Sequence, residues 1–172
     1  MTILLCTSLR PSPRTRTFCN DLVAASLIFL YQPRGKTSLV LLAAHAHSMG
    51  VDRLWLVNSR FGQPKLIDCY DCREMGPPEK IASFLLERVV LRRELSGELQ
   101  PRHRSLRIVY PQDPTQKSLY VKLVEAVGRM PNDGPFAGLH IDPSRGRAAL
   151  LAFLDEESKA PCGPQILLMD YR

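Results

Sequence analysis

At 172 residues the chain is of single-domain length, long enough to bury a core without disulfide or metal staples. It carries 23 Lys and Arg against 17 Asp and Glu, a formal charge of +6, and seventeen of the basic residues are Arg. No apolar run approaches the ~18 residues that span a bilayer, and five cysteines without repeated spacing exclude a secreted disulfide framework.

Thr2–Thr7 is a short apolar run and predicts a buried strand. It is too short for a signal core and arginines follow it, so a soluble, intracellular protein is expected. Ser12-Pro13 supplies a helix start, Ser as N-cap and Pro at the first helical position. The helix is expected to reach about Ser26, with Phe18, Leu22 and Ala25 inward. Leu27–Tyr31 predicts a second strand, and Ser38 to Met49 a second helix ended by Gly50. Arg53–Asn58, a turn at Phe61-Gly62-Gln63-Pro64 and Lys65–Cys72 predict a strand and its hairpin partner. The first half therefore reads β-α-β-α-β-β.

Gly76-Pro77-Pro78 marks a hinge in this reading, placing a boundary between halves of about 1–75 and 76–172. Ile81–Leu95 is apolar-rich, and Val89-Val90-Leu91 favours strand in its second part. Ser105–Tyr110 alternates as a strand does, and Asp113-Pro114-Thr115-Gln116 opens a helix expected to run to about Arg129. Phe136–Ile141 predicts a strand. Ala148–Asp155 fits helix or strand equally, followed by a polar turn and the apolar Gln165–Met169. The second half thus echoes the first in its elements without a residue-level repeat.

Charge is concentrated. Residues 1–36 hold Arg10, Arg14, Arg16, Arg34 and Lys36 against one acid, Asp21. A second basic stretch runs through Arg92, Arg93, Arg102, Arg104 and Arg107. Concentrated positive charge is the footprint of phosphate binding, and arginine's planar fork suits phosphate. Thermostability or a GC-rich genome produces the same arginine bias. The segment Thr7–Arg16 is the strongest local feature, because a strand feeds a hydroxyl- and arginine-rich loop that opens onto a helix N-terminus. Ser8, Arg10, Ser12, Arg14 and Arg16 are its candidate phosphate contacts, though a capped helix with solvated arginines fits the same residues. In a parallel β-α-β arrangement Arg34-Gly35-Lys36 falls on the same sheet edge, so Arg34 and Lys36 join the set.

Other motifs fail on spacing. Gly35-Lys36-Thr37 lacks the glycine a phosphate-binding P-loop needs five residues before Gly35, where Leu30 stands. Cys69 and Cys72 point to opposite faces of a strand and do not chelate one metal. His45 and His47 diverge on a helix, while His103 and His140 are isolated. No nucleophile elbow, zincin motif or paired carboxylate is present, and Asp155-Glu156-Glu157 reads as a solvated loop with ordinary pKa values. No catalytic residue, metal or cofactor is expected.

Thr7-Ser8-Leu9-Arg10-Pro11-Ser12-Pro13-Arg14 with Phe18, followed by Arg34-Gly35-Lys36, closely resembles the opening of the Brix domain. Gly50-Val51-Asp52-Arg53-Leu54, the Gly62 to Pro64 turn and the ending at Gly163-Pro164-Gln165-Ile166-Leu167 also look like that family. The similarity is specific over residues 1–75 and diffuse from 76 to 145. It implies strand for Ala148–Asp155. It further implies an α/β (α+β) fold of two similar halves, each a mixed sheet packed with helices, resembling the anticodon-binding domain of class II aminoacyl-tRNA synthetases. The implied function is a non-catalytic factor in ribosome biogenesis that binds ribosomal RNA or its precursor, aids rRNA processing and meets ribosomal or assembly proteins. Two alternatives stand beside it, a protein-interaction scaffold and a stand-alone tRNA-binding module. Arg92, Arg93, Arg102 and Arg104 form a possible second RNA contact. The second helix departs from the family, being more apolar at Val40-Leu41-Leu42-Ala43-Ala44, which points to an added protein contact.

Overall fold

A computed structural model describes residues 2–95, 103–128, 136–143 and 149–172. Strand β1 (Ile3–Thr7) is buried at all five positions, as expected of a strand covered on both faces. Helix α1 (Pro13–Ala25) starts where Ser12, in extended conformation, accepts the Thr15 N–H, with Pro13 at its first turn. It buries Phe18, Leu22 and Ala25 along one stripe. Strand β2 (Phe29–Tyr31) follows, then α2 (Leu39–Ser48), which Ser38 caps and Gly50 ends at φ 68°.

Strands β3 (Arg53–Arg60) and β4 (Gln63–Asp71) form a hairpin around Phe61-Gly62. Strand β5 (Glu79–Val90) pairs back on β4, so Gly76-Pro77-Pro78 lies in a hairpin loop within one sheet and is not a hinge. The strand also starts earlier and ends sooner than Ile81–Leu95, with a 3-10 turn at Arg92–Glu94. Strand β6 (Ser105–Ile108) leads through a 3-10 turn to α3 (Lys117–Val127). Strands β7 (Phe136–Pro143), β8 (Ala149–Asp155) and β9 (Pro161–Tyr171) complete the chain. Segment 149–155 is strand, as the family resemblance implied; Ala148 and Arg129 lie outside the described residues.

The nine strands among the described residues form one sheet in the order β2-β1-β3-β4-β5-β9-β8-β7-β6. β1 runs parallel to β2 and β3, and β6 parallel to β7, while the other pairings are antiparallel. The fold is thus mixed α/β. Phe18 and Leu22 of α1 share a core with Leu119 and Leu123 of α3, and with Trp55, Phe84, Phe153 and Ile166 of the sheet. On the other face Leu42, Ala43 and Ala46 of α2 cover Leu4, Leu54, Leu56 and Tyr70. Each large apolar side chain so buried contributes about 1.5–3 kcal/mol.

Two side chains of β3 reach across to the last turn of α3. The Trp55 indole N–H donates to Ala126 O at 3.0 Å, and Arg53 Nε donates to Glu125 O at 3.2 Å. Helix carbonyls that have no partner in their own helix are thereby satisfied. Cys69 and Cys72 sit in the two different cores, on opposite sides of the sheet, as their spacing required.

One acidic segment differs from its reading as a solvated loop with ordinary pKa values. Asp155 Oδ2 lies 3.2 Å from Nε2 of buried His103, and Glu156 meets His140 at 2.9 Å and Lys159 at 2.6 Å. The Ser158 hydroxyl and N–H hold the Asp155 carboxyl below its ordinary range. Burial pushes Glu156 the other way, yet Lys159 and His140 keep its pKa lowered. His103 and His140 are therefore not isolated. Both partners lie far off in sequence, where local patterns carry no signal.

Candidate nucleic-acid interface

The loop after β1 is built from residues that are used up by the fold and residues that are not. Ser8 N–H donates to Val57 O at 2.9 Å, which holds the loop's start to β3. Ser12 is fully engaged: its Oγ accepts the Thr15 N–H at 3.1 Å and donates to Gly62 O at 2.8 Å. Ser59 Oγ adds a donation to Thr15 Oγ1 at 2.8 Å. The β3–β4 hairpin tip is thereby fastened to the start of α1. Between the two serines, Arg10 is exposed in the left-handed region at φ 53°, a conformation uncommon outside glycine. It has no side-chain partner among the described residues.

Arg14 plays a different part. Its guanidinium grips the Glu94 carboxylate with two bonds, of 2.5 and 2.7 Å, and donates to Val89 O at 3.0 Å. Glu94 also accepts the Leu91 N–H at 3.0 Å. Its carboxyl is consequently held down at about 2, first by Arg14 and then by that N–H. Arg14 fastens α1 to the turn after β5, across 80 residues of sequence.

Arg16 is exposed and folds over the loop, Nη2 donating to Pro11 O at 3.3 Å. Arg34 Nε donates to Thr37 O at 2.8 Å, which shapes the β2–α2 loop around Gly35 at φ 59°. Lys36 is exposed and unpartnered among the described residues. β1 and β2 run parallel, so both loops leave the sheet at the same edge. α1 has no acid in its first turn, so its N-terminal N–H groups face this edge with their dipole uncompensated.

The second basic stretch is drawn alongside. Arg92 N–H donates to Asp21 Oδ2 at 2.8 Å, which docks the turn of Arg92 and exposed Arg93 on α1. Arg104 is exposed beside His103, whose backbone pairs with Ser26 at the end of α1. Arg102 lies outside the described residues.

The hairpin tip was read from sequence only as a turn. Phe61 there is 87% exposed, with the Arg60 guanidinium 5.0 Å from its ring centroid. The overlooked signal was a phenylalanine where a turn favours Asn, Asp or Gly.

Among the described residues no group of three His, Cys, Asp or Glu side chains could hold a metal ion. All five cysteines are buried, and burial pushes the thiols of Cys6, Cys19 and Cys162 up to about 12. No described helix is long and apolar enough to cross a membrane. The edge offers fixed cations and a helix N-terminus, and what those can do is bind anions.

No family model matches the chain. Over 88 residues, 51% of this chain and 49% of the relative, it is 40% identical to the "Probable Brix domain-containing ribosomal biogenesis protein" of Aeropyrum pernix. A protein of the same name from Methanopyrus kandleri is 37% identical over 91 residues, 53% of this chain and 47% of the relative. The chain thus matches about half the length of these curated relatives. In structure it matches a probable ribosomal biogenesis protein from Aeropyrum pernix with a TM-score of 0.81 and 30% identity, over 97% of this chain and 94% of that one. It also shares its fold with Mil, an archaeal Imp4-like protein, at a TM-score of 0.68 and 23% identity, over 98% of both chains.

Proposed function

The chain belongs to the Brix domain family, and from that premise we propose that it is a non-catalytic RNA-binding factor of ribosome biogenesis. It binds ribosomal RNA or its precursor, aids rRNA processing and subunit assembly, and works in the cytoplasm. The observation that carries this reading is the pair of loops on one sheet edge, with Arg10 and Lys36 exposed and without a partner among the described residues beside the uncompensated N-terminus of α1. Arg16 and Arg34, shaped by bonds to loop carbonyls, keep further N–H groups for phosphate. Arg14 and Ser12 hold the loop in place. Phosphate contacts of this kind position structured RNA without reading its bases.

The same reading takes the fold as two related halves, akin to the anticodon-binding domain of class II aminoacyl-tRNA synthetases. Its support is that β6-β7-β8-β9 repeats the pairing directions of β1-β3-β4-β5. The join would then lie after β5, in the segment that carries the second basic stretch, and not at about residue 75.

The test is Arg10→Glu combined with Lys36→Glu, chosen because neither side chain supports the fold. Affinity for a ribosomal RNA fragment falls more than about tenfold while thermal unfolding is unchanged. Undiminished binding by the double variant overturns the assignment of this edge.

A second reading has one specific observation behind it. Val40 and Leu41 of α2 are 48% and 62% exposed although apolar, which suits contact with a ribosomal or assembly protein. Leu41→Asp then lowers affinity for such a partner in pull-down without altering RNA binding.

A further inference from the structure

We propose that Phe61 is a base-stacking residue, which takes one unpaired nucleotide of the RNA whose backbone lies on the neighbouring basic loops. The proposal rests on the RNA-binding reading of that edge.

Phe61 and Gly62 are the two central residues of the β3–β4 turn, at φ 51° and 75°, with Arg60 and Gln63 paired on either side. Both central φ values are positive, the pattern of a type I′ hairpin turn, where Asn, Asp or Gly is favoured at the first position. A bulky aromatic there is strained, and the ring, 87% exposed, buries little in exchange. Strain that packing does not compensate is expected at sites kept for a ligand.

The surroundings identify the ligand. The Arg60 guanidinium sits 5.0 Å from the ring centroid, so one side of the aromatic is already paired with a cation. Ser12 Oγ binds Gly62 O, which fixes the tip to the loop carrying Arg10, also strained at φ 53°. Two of the three non-glycine residues with positive φ among the described residues, an aromatic and an arginine, thus lie on segments that one hydrogen bond joins. Ser59 Oγ on Thr15 Oγ1 makes the attachment two-pointed, so the backbones of the hairpin tip and of the basic loop are held together before anything binds. An exposed π-surface on a hairpin tip fastened to the basic loop matches a nucleotide whose base is unstacked, as in RNA loops and bulges. A fully paired duplex offers no such base.

The test compares an RNA stem-loop with the blunt duplex of the same stem, by fluorescence anisotropy. Phe61→Ala weakens stem-loop binding about tenfold, the scale of one base–aromatic stack. Duplex binding and the salt dependence stay at wild-type values, since no phosphate contact is lost. Phe61→Trp keeps wild-type affinity, and its exposed indole is quenched by the stem-loop and not by the duplex. Stem-loop binding by Phe61→Ala at wild-type strength overturns the proposal. If the Arg10→Glu/Lys36→Glu variant loses both RNAs in that same case, the phosphate edge stands and only the stacking role falls. Failure of the unmodified protein to bind either RNA overturns both.

Discussion

Two strand-to-helix corners lie on opposite edges of the sheet and solve the same folding problem with different chemistry. At the end of β1 a proline-containing loop runs into α1, capped by Ser12 with Pro13 at the first turn. At the end of β6 another runs towards α3 through a turn capped by Asp113 with Pro114 next. The first cap is neutral, and no acid stands in the first turn of α1. The second cap is a carboxylate that accepts the Thr115 N–H at 2.9 Å and its hydroxyl at 2.8 Å. Those two bonds lower the Asp113 pKa, so the carboxylate stays charged and supplies the anion that the corner attracts. Lys117 and Lys122 line the cleft beside it, but Lys122 already serves Glu125 and Ile81 O. A helix N-terminus is an anion site only where the chain has not filled it. The first corner meets that condition.

The largest effect that sharpens this contrast is in salt dependence. Arg10→Glu with Lys36→Glu removes two phosphate contacts, so the log–log slope of RNA affinity against salt should shallow by about 1.4–1.8. Lys117→Glu at the second corner should leave the slope unchanged. Titration of anisotropy across salt concentrations measures both. An equal response from Lys117→Glu breaks the contrast outright.

Next in size is a transplant of the second corner's cap onto the first. Ser12→Asp puts a carboxylate at the start of α1, and RNA affinity falls severalfold. It also loses the hydroxyl donor to Gly62 O, which costs about 1 kcal/mol of stability. Ser12→Asn separates the two effects, because it caps as well, can donate, and carries no charge. Its RNA affinity should stay within about twofold of wild type. If Asn weakens binding as much as Asp, cap charge is not what distinguishes the corners.

The contrast also explains which parts of the molecule were legible in sequence. Ser12-Pro13 and Gly50 are local signals that marked a helix end within one or two residues, whereas Asp113-Pro114 marked a 3-10 turn that starts three residues before α3. The β1-α1-β2-α2-β3-β4 order followed from them, because caps and periodicity act over a few residues. Glu79-Lys80 hid the start of β5, since two charged residues open the strand where it pairs with Asp71 and Tyr70 of β4. The candidate site divides the same way. Arg10, Arg16, Arg34 and Lys36 were visible as charge. That Arg14 is tied to Glu94 was not, because no pattern links residues 80 apart. Phe61 was hidden by its own turn, which drew attention to Gly62 and Pro64.

A smaller effect comes from the acid that the first corner keeps out of its cap. Glu94 binds Arg14 on the flank of α1, and its carboxyl is depressed from 4.5 to about 2 in the folded chain. A depressed folded pKa contributes stability that is present above the unfolded value and lost as pH falls through the folded one. Wild-type stability should therefore decline between about pH 4.5 and 2, and Glu94→Gln should flatten that part of the profile. The pair is partly exposed, so salt weakens the effect. Urea unfolding at several pH values reads it. A profile unchanged by Glu94→Gln means that Arg14 is free, and free to act as a phosphate ligand.

The smallest expected change tests the second corner by emptying it. Asp113→Ala removes the cap and lowers the midpoint of thermal unfolding slightly, while RNA affinity stays as it was. Asp113→Ser restores the midpoint, since serine ranks with aspartate as a cap, and it also removes the carboxylate. The corner then has the same neutral cap as its counterpart, yet it still lacks Arg10 and Arg16. If a vacant helix terminus alone were enough, Asp113→Ser would gain RNA affinity measurably. The expected result is no gain, because free N–H groups hold one phosphate weakly and the arginines on the loop make that hold a site. A clear gain would mean that Asp113 suppresses a second RNA contact, and that the two corners differ by one side chain.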